Sequence, residues 1–290
     1  MSRLTTTNAH GFTLVELVVA IAITAIVASF AVSLISAPTN ALDAATRTAT
    51  LRENAIQAMD RIEQEWLQAQ PNTLRFRSAA GALAIEHLAV LDATTLFSDL
   101  AAVPAGERLS VGVPDAQFET LAPFAQLAKP FDSTSAYLSL QSTGLPGVNA
   151  YALADVISPP GTRIQIDAGS AAGQDRVRLT PAALFTALGA VRRAYLVGGP
   201  VTYLCDPVSG TLQRYSGYAI ALTQALRDSD AKLMAAGAQR ALLATGVANC
   251  RISSSPSASA GQTVYNLTVT FRSGNDRLVL NARRVNDDAG

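Results

Sequence analysis

Histidine and cysteine are scarce in this sequence, which has two of each among 290 residues. Two cysteines cannot complete a four-ligand zinc site, and His10 and His87 are the only imidazoles that the chain can add to them. The motifs G-x-G-x-x-G, G-x-x-x-x-G-K-[ST], H-E-x-x-H and G-x-S-x-G are also absent. We therefore expect no enzymatic activity, no metal site and no cofactor, and a structural, partly buried position for His87 beside a strand.

The chain has no excess of either charge, with 22 Lys and Arg residues against 22 Asp and Glu residues. Nucleic-acid-binding domains usually carry a basic excess or a basic stripe, so we expect no nucleic-acid partner. Charged residues make up only 15% of the chain and hydrophobic residues 49%. This composition argues against a disordered chain and fits a folded domain with a membrane element.

A nearly unbroken apolar run occupies residues 12–35. At about 1.5 Å per residue, a helix of this length crosses the roughly 30 Å hydrocarbon core of a bilayer with some tilt. The run is longer than the apolar core of a secretory signal peptide, which has about 7–15 residues. Arg3 precedes the run, and the first charges after it are Asp43 and Arg47, so the slight positive-inside bias places the amino end in the cytoplasm.

Glu16 is out of place within this run, because a carboxylate in hydrocarbon needs a partner or a route to water. One interpretation is an acid at the membrane edge that reaches water. The sequence GFTLVE at residues 11–16, followed by the apolar run, supports another. It resembles the processing motif of type IV prepilins and of type II secretion pseudopilins.

The resemblance implies that residues 1–11 are a leader and that a prepilin peptidase cuts between Gly11 and Phe12 and methylates the new amine. It also implies that Glu16 is an assembly residue, paired with the terminal amine of a neighbouring subunit. The implied partners are the peptidase, the major pilin, other minor pilins and the assembly platform of the inner membrane. The implied location is the inner membrane, in a single pass with the carboxyl-terminal domain in the periplasm, and then the filament. His10, where the family usually has Lys or Arg, and the lack of the usual mid-helix Pro and Gly favour a minor pilin over a major one.

Two helical segments are expected before the globular domain, a membrane-spanning segment at 12–36 and an amphipathic helix at 37–70. Pro38 predicts a kink or break between them, and Pro71 predicts the end of the second. Apolar residues recur in the second segment at steps of three and four residues, which predicts one buried stripe. The residues of this stripe are Leu51, Ala55, Met59, Ile62, Trp66 and Ala69.

From residue 74 onward the apolar period is two, which indicates short strands separated by Gly, Pro and Ser clusters. The predicted strands are 83–85, 108–113, 137–140, 163–167, 176–179, 194–205, 212–215, 247–253, 263–272 and 277–285. The last two form a hairpin across residues 273–276, and 181–188 is a possible short helix. We expect an α+β fold in which a long amino-terminal helix packs on antiparallel sheet, with residues 71–290 as the periplasmic domain. A sub-domain inserted within 74–180 is a further hypothesis, based only on chain size.

Cys205 follows one apolar strand and Cys250 lies in another. Outside the cytoplasm two such cysteines usually pair, and a disulfide closing this loop stabilises by roughly 4 kcal/mol in the chain-entropy model. Two buried free thiols are the alternative.

The segments 195–206 (YLVGGPVTYLCD) and 210–218 (GTLQRYSGY) resemble the carboxyl-terminal region of MshO-type minor pilins of the mannose-sensitive haemagglutinin (MSHA) pilus. This resemblance implies a role in initiating or capping the pilus. A minor pseudopilin of a type II secretion system is the alternative, because the amino-terminal motif serves both systems.

Two additional roles remain open at this stage. Oxygen-bearing side chains at 275–276 and 286–288 suit calcium, although a solvated tail and a hairpin turn explain them as well. Four tyrosines within 195–218 suit an adhesive surface, although core packing or contact with a neighbouring pilin explains them equally well. The tyrosines are Tyr195, Tyr203, Tyr215 and Tyr218.

Overall fold

The computed structural model of the chain divides into two units, Met1–Thr50 and Leu51–Gly290, and each is described by itself. The described residues are 13–97, 107–143, 145–189, 192–256 and 262–287.

The first element, α1, is a single helix over Leu14–Leu67. Its sequence contains no glycine and is rich in Ala and Leu, which are strong helix formers. The helix continues through Pro38, so a break at this residue is wrong, and a kink there stays a prediction. A proline inside a helix removes one backbone hydrogen bond, and enough helical residues follow Pro38 for the helix to continue past that loss.

The helix ends at Leu67, four residues before the predicted stop at Pro71. The chain then joins a sheet. The Gln70 N–H donates to the Leu88 carbonyl at 2.9 Å, and the Val90 N–H donates to the Gln68 carbonyl at 3.1 Å. Backbone pairing with a strand therefore replaces the last helical turn.

The strands that the structure describes form three antiparallel sheets. The six-stranded sheet has the order β1-β2-β8-β9-β10, with β5 also paired to β8. Its strands are β1 (Arg75–Ala79), β2 (Ala82–Thr95), β5 (Tyr137–Ser139), β8 (Arg193–Asp206), β9 (Thr211–Ser216) and β10 (Gln239–Thr245). A short helix, α2 (Asp230–Ala235), lies between β9 and β10 in the sequence.

A four-stranded sheet, in the order β3-β7-β6-β4, forms between β2 and β8 in the sequence. Its strands are β3 (Pro114–Glu119), β4 (Phe131–Ser133), β6 (Arg163–Ala168) and β7 (Asp175–Leu184). The third sheet has the order β11-β12-β13. Its strands are β11 (Val247–Pro256), β12 (Gln262–Ser273) and β13 (Asp276–Asp287).

The amphipathic stripe of α1 is confirmed. Ala55, Ile62 and Trp66 have no exposed surface, and they pack in one core with residues of the six-stranded and three-stranded sheets. A second core contains Phe118 and Phe124, and the four-stranded sheet shares it with Leu138 and Leu196 of the six-stranded sheet. The architecture is α+β, as expected, with the sheets antiparallel throughout the described residues.

Two predicted elements in the middle of the chain are wrong. Residues 108–113 form bends and irregular backbone, where Gly112 takes a positive φ of 83° and the Ser110 N–H donates to Asp115 Oδ2 at 2.7 Å. The possible short helix at 181–188 is absent, because β7 runs on to Leu184. Ala183 and Phe185, two residues apart, are both fully buried. Burial therefore alternates with the period of two that is typical of a strand.

Candidate functional site

The amino terminus of α1 carries the residue predicted for assembly. Thr13 precedes the helix, and its Oγ1 accepts a hydrogen bond from the Glu16 N–H at 3.3 Å. The Thr13 carbonyl accepts from the Leu17 N–H at 3.2 Å. Thr13 is therefore an N-cap, and T-x-x-E is the sequence of a capping box. This role was not predicted, although the T-x-x-E pattern of residues 13–16 is visible in the sequence. Gly11 and Phe12 lie outside the described residues.

Beyond this cap, Leu14–Ala31 is long and apolar enough to cross a membrane, with a mean hydropathy of 2.5 and no part of it buried. Leu14 is 79% exposed and Phe30 is 67% exposed. Glu16 is itself exposed and is the single charged residue of this segment. The segment therefore has an exposed apolar surface that a bilayer would cover, and it carries one carboxylate near its start.

Within the second unit, Glu65 links the end of α1 to the six-stranded sheet through hydrogen bonds and an ion pair. Its carboxylate accepts from the Tyr203 hydroxyl at 2.5 Å and from Arg214 Nε at 2.8 Å. Arg61, one turn earlier on the helix, pairs with it as well at 2.5 Å. Burial alone would raise the pKa of Glu65, but the hydrogen bonds from these three side chains outweigh it and lower the pKa. A charged Glu65 is thus part of the packed structure.

The last strand closes on the chain segment that follows α1. Arg284 Nη2 donates to the Ala69 carbonyl at 3.1 Å, and the Asn72 N–H donates to Asn286 Oδ1 at 3.1 Å. The amide of Asn286 also donates to Asn72 Oδ1. Because Asn286 is only 3% exposed, its Oδ1 is buried in this contact with Asn72.

This contact weakens the calcium alternative at the carboxyl terminus. Asp288, the last residue of that proposed set, lies outside the described residues. In the part of the chain that the structure describes, no group of three or more His, Cys, Asp or Glu side chains is arranged to hold a metal ion.

Cys205 and Cys250 form a disulfide. Cys205 lies in β8 of the six-stranded sheet and Cys250 in β11 of the three-stranded sheet, and their Cα atoms are 6.2 Å apart. The bond therefore joins the two sheets that share a core with α1, across 45 residues of sequence.

His87 is more deeply buried than expected. It lies within β2 with no exposed surface, and its ring stacks on Tyr203 with centroids 5.9 Å apart. Neither ring nitrogen has a hydrogen-bond partner among the described residues. Burial lowers the pKa of His87 from 6.5 to about 3, so the imidazole is neutral.

The tyrosines do not form the adhesive surface that sequence analysis left open. Tyr203 and Tyr215 are fully buried, Tyr218 is 5% exposed and Tyr195 is half-buried. The buried hydroxyls have partners inside the protein, such as Asp230 for Tyr215 at 2.5 Å. Core packing, the other explanation of these tyrosines, accounts for Tyr203, Tyr215 and Tyr218, which take core positions of β8, β9 and the turn that follows.

Residues 6–32 match the family model described as the prokaryotic N-terminal methylation motif. This chain carries that motif. Over the remaining length the comparisons give no likeness, since no curated protein and no solved structure matches. The motif indicates a prepilin-processed protein of the type IV pilin or pseudopilin kind, and together with the apolar helix it indicates membrane anchoring.

Proposed function

We propose that this chain is a minor pilin of a type IV pilus, acting in pilus assembly or initiation. In this proposal prepilin peptidase cuts between Gly11 and Phe12 and methylates the new amine. The chain then sits in the inner membrane with its β-rich domain in the periplasm, and later passes into the filament. Its role is structural, with no enzymatic activity.

The observation that carries the proposal is the lone carboxylate of Glu16 in the exposed apolar segment of α1, inside the matched motif. A buried charge without a partner costs several kcal/mol, and an opposite charge within a few ångströms offsets that cost. Cleavage after Gly11 would create a cation at the start of each mature chain. The amine of a neighbouring subunit is then the natural partner of Glu16.

The assignment to an MshO-type pilin of an MSHA-like pilus rests on the sequence of β8, β9 and the turn that follows. The Cys205–Cys250 disulfide supports an oxidising compartment such as the periplasm. A minor pseudopilin of a type II secretion system is the second candidate, since the matched motif is shared.

Intact mass measured on membranes tests processing. In cells with prepilin peptidase, the wild-type chain should have the mass of residues 12–290 plus one methyl group. A Gly11→Ala variant, and the wild type in cells without the peptidase, should keep the leader. A wild-type chain that is uncleaved, or cut after the apolar run, would overturn the proposal.

Two matched variants separate charge from helix capping at the amino terminus. Glu16→Gln removes the charge but keeps a residue that suits a capping box. Thr13→Ala removes the cap and keeps the charge. We expect both chains to be processed, and Glu16→Gln alone to be lost from sheared filaments. Loss of incorporation for Thr13→Ala with normal incorporation of Glu16→Gln would show that capping matters and the charge does not.

The pilins that co-purify after crosslinking distinguish an MSHA-like pilus from a type II secretion system.

A further inference from the structure

The three-stranded sheet has one face in the core and one face outside it. Core residues of its strands include Leu267, Val269 and Phe271 of β12 and Ala282 of β13. Because successive side chains in a strand point to opposite faces, the strand registers fix the residues of the other face. We call its rows from Arg272–Arg277 to Asn266–Arg283 the arginine face. Its residues are Asn249, Arg251 and Ser253 of β11, Asn266, Thr268, Thr270 and Arg272 of β12, and Arg277, Val279, Asn281 and Arg283 of β13.

These rows carry four arginines and no acidic residue, and Asp287 of β13 lies on the same face two rows beyond Arg283. The ion pairs that the structure describes involve other arginines, and these four guanidinium groups have no hydrogen bond among the described residues. Glu63 of α1 reaches the edge of β13, where its Oε1 accepts from the backbone N–H of Arg283 at 3.1 Å, and it makes no ion pair with that guanidinium. The charge of this face is therefore not compensated by the residues described around it.

Two of the arginines lie directly opposite each other. Arg272 of β12 pairs with Arg277 of β13, and both are exposed. Like charges opposite each other destabilise a sheet, so this pair is unfavourable until an anion binds. The two side chains line a depression of about 240 Å³ together with Ala248, Asn249 and Thr270. A carboxylate or sulfate there would accept charge-assisted hydrogen bonds from both guanidinium groups.

The remaining charges extend from this depression along the sheet. Arg251 lies two cross-strand rows from the Arg272–Arg277 pair, and Arg283 lies three rows from it. Three rows correspond to about 20 Å along the strands. Between the charges stand Asn, Thr and Ser side chains, which can donate and accept hydrogen bonds as sugar hydroxyls require. Thr268 already donates to Asn281 Oδ1 at 2.7 Å, which leaves the amide N–H groups of Asn281 for a ligand.

We propose that the arginine face binds a linear anionic polysaccharide, with one carboxylate or sulfate between Arg272 and Arg277 and others near Arg251 and Arg283. This inference does not rest on the proposed role in assembly. The charge spacing favours a sparsely charged polymer, because duplex DNA carries a charge about every 1.7 Å. The face has no aromatic side chain on which single-stranded bases would stack. Val279 is the single large apolar residue of these rows, and Val264 and Val285 come only in the next row, at the far end from the Arg272–Arg277 pair. A folded protein partner would need an apolar centre.

Binding of the full chain in nonionic detergent to immobilised polygalacturonate, a carboxylate polymer, tests the proposal. The Arg272→Gln/Arg277→Gln variant should bind at least about tenfold more weakly, because two charge-assisted contacts are lost. The control is Arg47→Gln/Arg52→Gln, which removes the same charge from exposed positions of α1 and should bind like the wild type. Binding should also weaken as salt is added.

A second pair of variants covers the rest of the face. Arg251→Gln/Arg283→Gln should also weaken binding, and the two effects should combine in a fourfold variant. Because all four side chains are exposed, the variants should unfold at the wild-type temperature, which a thermal scan checks. Three results would overturn the proposal: no binding by the wild type at low salt, equal losses in the α1 control, or displacement of the polysaccharide by a lower concentration of a DNA duplex.

Discussion

His87 should make the protein less stable as the pH falls. The imidazole is fully buried, it stacks on Tyr203 and its pKa is lowered from 6.5 to about 3. In the unfolded chain the same group would take up a proton near its ordinary pKa. The unfolded state therefore gains protons below about pH 6.5 that the folded state does not, and the free energy of unfolding falls.

The size of the effect follows from the shift in pKa. Each pH unit between 6.5 and about 3 lowers the free energy of unfolding by about 1.4 kcal/mol, which gives about 5 kcal/mol over the whole window. The loss begins below the unfolded pKa and is complete only when the folded imidazole is protonated. The full shift rivals the net stability of a typical domain.

The assay compares the wild type with His87→Phe in detergent micelles. Phe keeps a ring against Tyr203 and removes both unpartnered ring nitrogens. Urea denaturation can be followed by the fluorescence of Trp66, the single tryptophan, which is fully buried in the core containing Tyr203. The carboxylates titrate in both proteins, so the difference between the two curves isolates His87.

We expect His87→Phe to be at least as stable as the wild type near pH 7. Its advantage should then grow by about 1.4 kcal/mol per pH unit below about pH 6. Parallel stability curves for the two proteins across that window would refute the reasoning, because they would mean that the imidazole is protonated equally in both states.

Two further perturbations test the same core. Replacing Cys205 and Cys250 by alanine, or reducing them, should lower the free energy of unfolding by about 4 kcal/mol, because the disulfide spans 45 residues, and an unchanged urea midpoint would contradict this. Replacing Glu65 by glutamine should cost about 2 kcal/mol at neutral pH, because Tyr203 and Arg214 lose a charged acceptor. The lowered pKa of Glu65 means that its contribution is present above its ordinary pKa of 4.5 and lost on acidification, so this difference should shrink as the wild type is acidified.

Local patterns in the sequence predicted the elements whose stability is local. The hairpin between β12 and β13 closes at the predicted turn, where Ser273 pairs with Asp276, because Gly274 supplies the positive φ that the turn needs. The buried stripe of α1 was readable for the same reason, since helical spacing alone puts Ile62 and Trp66 on one face.

The contacts that hold the core together could not be predicted from the sequence. Glu65 looks like any polar residue of an amphipathic helix, and its partners Tyr203 and Arg214 lie 138 and 149 residues further along the chain. The pairing of Asn72 with Asn286 spans 214 residues. No local pattern marks such residues, because their role exists only after the sheets have formed.

The segment between β2 and β8 shows why the middle of the chain was the hardest part to read. These two strands pair from Leu83 with Cys205 to Thr95 with Arg193, so the residues between them leave and re-enter the sheet at neighbouring points. They build the four-stranded sheet and a second core that this sheet shares with β5 and β8. β5 returns to pair with β8, and residues 51–290 form one compact unit. Closing so long a loop costs entropy that grows only slowly with its length, and the extensive β2–β8 pairing offsets that cost. The short strands of the insertion are therefore stabilised by long-range pairing. Their own sequences need to carry only weak local patterns that predict a strand.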